Sequence, residues 1–573
     1  MIPAATPSIS TSKPPSIPNR WLFRTLLGLA VAALLARDGR GASALPTIAL
    51  IACQVPLILL WIHHLRRERL SVSTDGILFG LVALAGVGLA VACRSVMPAL
   101  VATTGYIVGA TGLGFLHEAY RKMDAAIETP DRLIRVIVPY WIGAILVGAI
   151  LLSMPIATQS GVPDYRHNFV SHVVGGLHTS TSAACLVGVF TLSFGEDYTS
   201  FGQIVIIGLT QLAGFAFCAM GLSLIRPILQ RPATLKRVFV VATLIQLTGV
   251  AVLLSVWRSD DTPTFVDRIW WSIVHAGGAL WNTGVVMRAD GLAGYFADRR
   301  VFLAITSLAI AGSLGVPLLL DLLGKRPPAD DLQRHPLSGL ATFDAFAAFL
   351  LLLLMSGALV YLEHPASWVG EWRPALPFEP SVHQPAMRDD RSRPWPLAVL
   401  VASTVRSAGL QTIPVSVGTL SWPSFGLIIG AMFTGGSVAG TAGGIRTSLF
   451  GLLILTPIGG ANVAERARRG AFRRQLLARF GVGLGAWLAM NFVAALLLGT
   501  TTSADRYDTT FDAIASLNNV GLTTGLVDHL TTNGRLVAIA LMLVGRFWPL
   551  WFWAGVMRTI RQQAETAAQS RSL

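Results

Sequence analysis

Phe511-Asp-Ala-Ile-Ala-Ser-Leu-Asn-Asn-Val-Gly521 is half apolar, too short to cross a bilayer, and flanked by two stretches that are long enough. Three further stretches share that design: His178-Thr-Ser-Thr-Ser-Ala-Ala-Cys-Leu-Val-Gly188, His275-Ala-Gly-Gly-Ala-Leu-Trp-Asn-Thr-Gly284 and Ser403-Thr-Val-Arg-Ser-Ala-Gly409. Their closing glycines recur at intervals of about a hundred residues, as expected of a unit holding two full helices and one half-helix. An isolated glycine in such a place could simply let two helices pack closely. Four of them, each between two spans, predict a helix–pore loop–helix unit repeated four times. Non-helical backbone at membrane depth must be enclosed by protein or line a water-filled cavity. Glycine tolerates the dihedrals that aim successive carbonyls at one axis, and a ring of such carbonyls can replace the water around a cation.

The rest of the chain fits a polytopic membrane protein. Of 573 residues, 53% are apolar and 13% charged, and the mean hydropathy is +0.61. Spans are expected near 22–36, 46–63, 75–93, 97–116, 135–156, 203–225, 237–257, 301–322, 341–362, 424–457, 480–499 and 533–557. The first could instead be a signal peptide, with Ala42-Ser43-Ala44 as a cleavage site. The net charge of +14 follows from basic connecting loops, the densest holding Arg466, Arg468, Arg469, Arg473, Arg474 and Arg479. The positive-inside rule makes that face, and the C-terminus with it, cytoplasmic. No nucleic-acid-binding module is present to claim the charge. Cys53, Cys93, Cys185 and Cys218 sit in apolar stretches without metal-ligand spacing, and no His/Asp/Glu constellation has catalytic spacing, so no enzymatic chemistry is expected.

Further motifs make the reading specific. Phe201-Gly-Gln-Ile-Val-Ile-Ile-Gly-Leu-Thr-Gln-Leu-Ala-Gly214, Ser516-Leu-Asn-Asn-Val-Gly-Leu-Thr-Thr-Gly525 with Gly545-Arg-Phe-Trp-Pro-Leu550, and above all Met432-Phe-Thr-Gly-Gly-Ser-Val-Ala-Gly-Thr-Ala-Gly-Gly-Ile-Arg-Thr447 resemble the Trk/Ktr/HKT superfamily of potassium transporters. The resemblance covers roughly residues 135–560. It implies an all-α fold with four helix–pore loop–helix repeats in pseudo-fourfold arrangement, preceded here by about four extra N-terminal helices. The expected divisions are 1–130, then repeats at 131–232, 233–335, 336–465 and 466–573. Carried over by position, the resemblance gives filter carbonyls at Leu186, Val187, Gly188 and Val189, at Asn282, Thr283, Gly284 and Val285, at Ser407, Ala408, Gly409 and Leu410, and at Asn519, Val520, Gly521 and Leu522. Glycine at all four centres resembles the potassium-selective members, whereas serine at the first marks many sodium-preferring ones. Potassium is then the substrate, bound at those residues, and no covalent cofactor is implied. The family also implies a homodimer in the cytoplasmic membrane, surrounded by lipid, and a separate cytosolic nucleotide-binding regulatory subunit.

The glycine run needs its own reading. Gly435, Gly436, Gly440, Gly443 and Gly444, with Ser437 and Thr441, should interrupt a helix, since each glycine costs about 0.8–1 kcal/mol relative to alanine. The family implies an intramembrane gate that moves at low cost; tight helix packing is the alternative. Arg546, inside an apolar span, has two readings: a cation-repelling charge at the inner pore beside that gate, or a hydrogen-bond donor to exposed carbonyls. Arg406 is expected to brace the third loop. Asp508 and Asp512 either draw cations to the outer mouth or belong to a solvated loop. Trp281, Val187 and Val438-Ala439-Gly440 depart from the family pattern. The competing function is a twelve-helix secondary transporter for an organic solute, which predicts two related halves rather than four quarters; a sodium-carrying member of the same superfamily is the other alternative.

Overall fold

The structure is a computed structural model that describes residues 118–159 (bar 128–129), 169–225, 234–323 (bar 258–260, 263, 289–290, 293–294 and 296–297), 340–362, 394–410 (bar 407), 422–455 and 463–572. The four expected N-terminal spans lie outside them. Residues Lys122–Leu573 form one compact unit. Among the described residues the fold is all helical, with two isolated β-bridges and no strand.

One short helix of 12–17 residues stands in the middle of each of the four repeats: α2 (Phe169–Ala184), α5 (Phe265–Trp281), α9 (Pro394–Val405) and α13 (Arg506–Leu517). The sequence marks their starts unevenly. α5 begins with a capping box, in which Thr264 Oγ1 accepts from the Asp267 N–H and the Asp267 carboxylate accepts from the Thr264 N–H, each at 3.1 Å. Each short helix follows a longer one: α1 (Pro130–Leu152), α4 (Leu235–Leu253), α8 (Leu340–Leu362) and α12 (Val463–Gly499). Each precedes another: α3 (Ser200–Ile225), α6 (Arg299–Leu314), α10 (Trp422–Phe433) and α14 (Thr532–Ser572).

The packing closes a ring. Every short helix packs on the helix before it, and also on the second helix of the neighbouring repeat: α5 on α3, α9 on α6, α13 on α10, and α2 on α14. The last contact joins the end of the unit to its beginning, which a linear array of hairpins does not do. Among the described residues six helices are long and apolar enough to cross a membrane. Their outward faces carry exposed Leu146, Ile150, Leu244, Phe349 and Phe492, as surfaces facing lipid do.

Two expected boundaries differ, and the expected interruption is present. The span expected at 301–322 is two helices, α6 and α7 (Val316–Leu323), bent by 92° at Gly315. Gly315 has φ +82°, and Pro317 follows within the next turn, so the chain turns where a left-handed residue is cheap and cannot simply resume. The interrupted span expected at 424–457 is α10 and α11 (Thr447–Leu455), separated by the glycine run. The basic cluster at 466–479, expected as a loop, is the first part of the 37-residue α12; its Ala, Arg, Leu and Gln residues are strong helix formers.

Gly315 should tolerate no side chain. A Cβ there would run into the Ala439 carbonyl, and the φ is unfavourable for any L-residue. Gly315→Ala is expected to lower unfolding stability by at least about 1–3 kcal/mol, the cost of one strained residue before any clash, while Gly426→Ala, where a Cβ meets nothing within 4 Å, leaves it unchanged. Thermal unfolding of the purified protein in detergent measures the difference.

Candidate functional site: a junction of four loops

The short helices end in one recurring turn. Leu186, Asn282 and Asn519 have φ of +58°, +54° and +52°, each two residues before its loop glycine. In each, that residue's N–H bonds three residues back, at 3.2 Å to Ala183, Ala279 and Ser516. The next N–H bonds five residues back: Val187 to Ser182 at 2.8 Å, Thr283 to Gly278 at 2.7 Å and Val520 to Ala515 at 2.9 Å. That is a Schellman turn built three times, which satisfies helix-end carbonyls inside the protein. The third repeat is offset: the Ala408 and Gly409 N–H groups both bond Thr404, at 2.9 and 3.0 Å, and Gly409 itself has φ +58°. Ser407 lies outside the described residues. Leu186 in the left-handed region carries no sequence signal, because leucine is a costly choice there; Asn282 and Asn519 do carry one.

The four glycines then meet. The Gly284 N–H donates to the Val187 carbonyl at 3.1 Å, joining the first loop to the second. A Cβ on Gly188 would strike the Gly284 backbone, one on Gly284 would lie 2.7 Å from the Gly409 carbonyl, and one on Gly409 would strike the Val520 carbonyl. One on Gly521 would strike the Val187 carbonyl and close the circuit. The flanking Leu186, Val187, Val189, Asn282, Thr283, Val285, Ala408, Leu410, Asn519, Val520 and Leu522 are all buried.

Residues behind the loops hold them. Gly312 and Gly545 have no room for a Cβ because the Leu280 and Leu517 carbonyls and the Asn282 and Asn519 amides press on them. This pairing repeats in the second and fourth units; in the sequence Gly545 shows only as the start of a motif and Gly312 carries no mark at all. Trp141 Nε1 donates to the Ala184 carbonyl at 2.9 Å, and Trp487 Nε1 to Asn518 Oδ1 at 3.1 Å. Trp281 is buried, donates to Gln211 at 2.7 Å and lies over Gly214, so its bulk is taken up behind the loop. His275 bonds the Trp271 carbonyl through Nδ1 at 2.8 Å and lies tilted by 40° against the Trp257 ring; His178 is buried in α2.

Residues 435–444 are buried beneath this junction and touch all four repeats. The neck is zipped by the Gly435 N–H to Ile445 carbonyl bond at 2.8 Å and the Ile445 N–H to Phe433 carbonyl bond at 2.9 Å. Gly221 of α3 abuts Ala439. In the second repeat, the Ser437 and Thr441 N–H groups bond the Ser313 and Gly312 carbonyls at 3.0 Å, and Asn282 Nδ2 donates to Thr441 Oγ1 at 2.9 Å. Three buried arginines grip its carbonyls: Arg406 on Gly435 at 2.9 Å, Arg446 on Ser437 and Gly440 at 3.1 and 3.2 Å, and Arg546 on Thr441 at 2.7 Å. Arg546 also lies over the Phe217 ring at 3.8 Å. Its carbonyl bond fits the hydrogen-bond-donor reading. At the exit Asp344, buried in α8, accepts from Thr447 at 3.0 Å and from Ser448. The segment is thus latched rather than loose: charge-assisted bonds are each worth about 1.5–3 kcal/mol, so displacement at low cost does not fit this arrangement.

Two acidic residues separate. Asp512 is buried and accepts from Thr523 Oγ1 at 2.7 Å and from the Thr524 N–H at 2.8 Å, so it braces the fourth loop's outgoing strand and is neither at an open mouth nor in a solvated loop. Asp508 is half-buried in the first turn of α13, and burial together with neighbouring Asp505 raises its carboxyl above the usual range.

Four re-entrant half-helices, meeting tip to tip within a closed ring of membrane-length helices, define a polytopic membrane protein of the re-entrant-loop class. The crystal structure of the potassium transporter TrkH from Vibrio parahaemolyticus has the same fold, with a TM-score of 0.52 at 16% identity, covering 82% of this chain and 96% of that one. Among curated proteins the chain is 26% identical over 434 residues to the potassium/sodium uptake protein NtpJ of Enterococcus hirae, spanning 70% of this chain and 88% of the relative. It is also 26% identical over 437 residues to the Ktr system potassium uptake protein B of Bacillus subtilis, spanning 71% and 89%. No family model matches the chain. In sequence the chain is thus similar to bacterial potassium uptake proteins, and in fold to a potassium transporter.

Alanine at the loop glycines should separate two costs. Gly188→Ala and Gly521→Ala combine φ +89° with a backbone collision, whereas Gly284→Ala has only the closer packing. The first two are expected to destabilise the protein by about 1–2 kcal/mol more than the third, the left-handed penalty for an L-residue, as read by thermal unfolding in detergent.

Proposed function

We propose that the chain carries potassium into the cell through the junction of the four loops, with residues 435–444 and Arg546 as the gate below it. The observation that carries this reading is the backbone-to-backbone meeting of Gly188, Gly284, Gly409 and Gly521. At each of these four glycines the nearest atoms across the junction are main chain, and main-chain carbonyls are the ligands that replace a cation's water. The relatives' names, which are those of potassium uptake proteins, support the same substrate, and they are transporters rather than enzymes. The membrane potential supplies about 2.3 kcal/mol per 100 mV for each charge moved. The Gly284 N–H takes one lone pair of the Val187 carbonyl, which leaves the second for a cation at that level. The filter comprises residues 186–189, 282–285, 407–410 and 519–522. Arg546 holds the gate closed by its bond to Thr441. The protein works as a homodimer in the cytoplasmic membrane, C-terminus inside, with a separate nucleotide-binding subunit regulating it.

Flux into proteoliposomes tests the substrate. Potassium and rubidium should enter at least about tenfold faster than sodium and lithium, one decade being worth roughly 1.4 kcal/mol of discrimination, and Gly188→Ser should narrow the ratio. Equal entry of all four ions in the parent sinks potassium selectivity. The printed name of NtpJ includes sodium, and faster sodium entry would favour that reading instead.

Deletion of residues 436–443 tests the gate. A folded deletion protein should show higher potassium flux than the parent, and unchanged flux counts against an obstructing role.

A further inference from the structure

Beside the gate, α12 and α14 leave a cleft of about 510 Å³ between them. Its walls are apolar, formed by Val482, Ala486, Trp551 and Phe552. Arg479 and Arg558 also line it, and both are exposed. Arg479 donates to the Gly555 carbonyl at 3.2 Å, which engages one of its five N–H donors. Among the described residues no carboxylate pairs with either arginine. Arg558 stands just past Val556, where the membrane-length part of α14 ends, and from Trp548 to Arg558 the helix axis covers about 15 Å. One end of the cleft is therefore cationic and at interface level, and the rest is greasy and runs into the apolar layer.

We propose that this cleft binds an anionic glycerophospholipid from the surrounding bilayer, with its phosphate between Arg479 and Arg558 and an acyl chain along Val482, Ala486 and Trp551. A soluble phosphate has no use for the apolar wall, and a neutral lipid has none for two arginines. The cleft also has an inner neighbour. Gly483, Trp548 and Phe552 line both it and a small cavity bounded by Ile445, Arg446 and Leu449. The lipid thus supports the wall against which the chain rests as it leaves the gate, at Ile445 and Arg446. Its effect on flux depends on residues 435–444 being a gate; its binding does not.

The test is native mass spectrometry of the full-length protein after incubation with equal amounts of phosphatidylglycerol and phosphatidylcholine. The parent should retain phosphatidylglycerol preferentially. The double variant Arg479→Gln/Arg558→Gln should lose about tenfold or more of it, two cations being removed from an anionic ligand. Arg479→Lys/Arg558→Lys should keep the preference, which separates loss of charge from loss of fold. Ala486→Trp, which fills the cleft and leaves both arginines in place, should also lower retention. Equal retention of the two lipids by the parent overturns the proposal, as does undiminished phosphatidylglycerol on the Gln variant. So does a Val482→Cys protein that forms a disulfide-linked dimer and retains no phosphatidylglycerol, since a second copy of the chain would then occupy the cleft.

Discussion

Backbone polar groups that leave a helix inside a membrane have no water to turn to, and every part of this molecule answers that constraint. The Schellman turns at Leu186, Asn282 and Asn519 absorb helix-end carbonyls within three to five residues of where they arise. Tryptophans of the preceding helices take further acceptors, Ala184 through Trp141 and the Asn518 side chain through Trp487. The ring of packed half-helices makes this possible. It puts protein behind each loop on every side, so that only the tips remain for the centre.

The glycine run obeys the same constraint by a different device. Thirteen consecutive residues without helix, 434–446, would expose a row of carbonyls, and arginine is suited to collecting them, because its donors fan out from one rigid plane. Arg406, Arg446 and Arg546 each come from a different element and each takes a carbonyl of the run. Burying a guanidinium is costly unless its donors are used, so the charges and the broken helix depend on one another. Removing any one arginine strands a carbonyl; restoring the helix strands the arginines.

Much of this was legible in the sequence because period and length are strong signals. Helices of membrane length and short stretches ending in glycine follow from hydropathy and chain geometry alone, and the four loop tips fall where the motifs put them. Contacts between distant segments were not legible. Gly312 carries no mark and Gly545 only opens a motif until the Leu280 and Leu517 carbonyls are seen against them. Asp512 reads as a surface acid near a loop, yet Thr523 and Thr524 fold back to bury it. The bend at Gly315 hides because apolar residues continue on both sides of it, and hydropathy does not register direction.

That bend and the glycine run are best understood together. The chain turns by 92° at Gly315, so the last carbonyls of α6, at Gly312 and Ser313, lack their ordinary partners one turn further on. Ser437 and Thr441 supply the missing N–H groups. Conversely, Ala439 and Gly440 can approach that helix end only because Gly315 has no side chain and Gly440 none either. Two breaks in adjacent repeats therefore complete each other, the carbonyls of one meeting the amides of the other. A single interrupted span would have left both sets to find water that a bilayer does not offer.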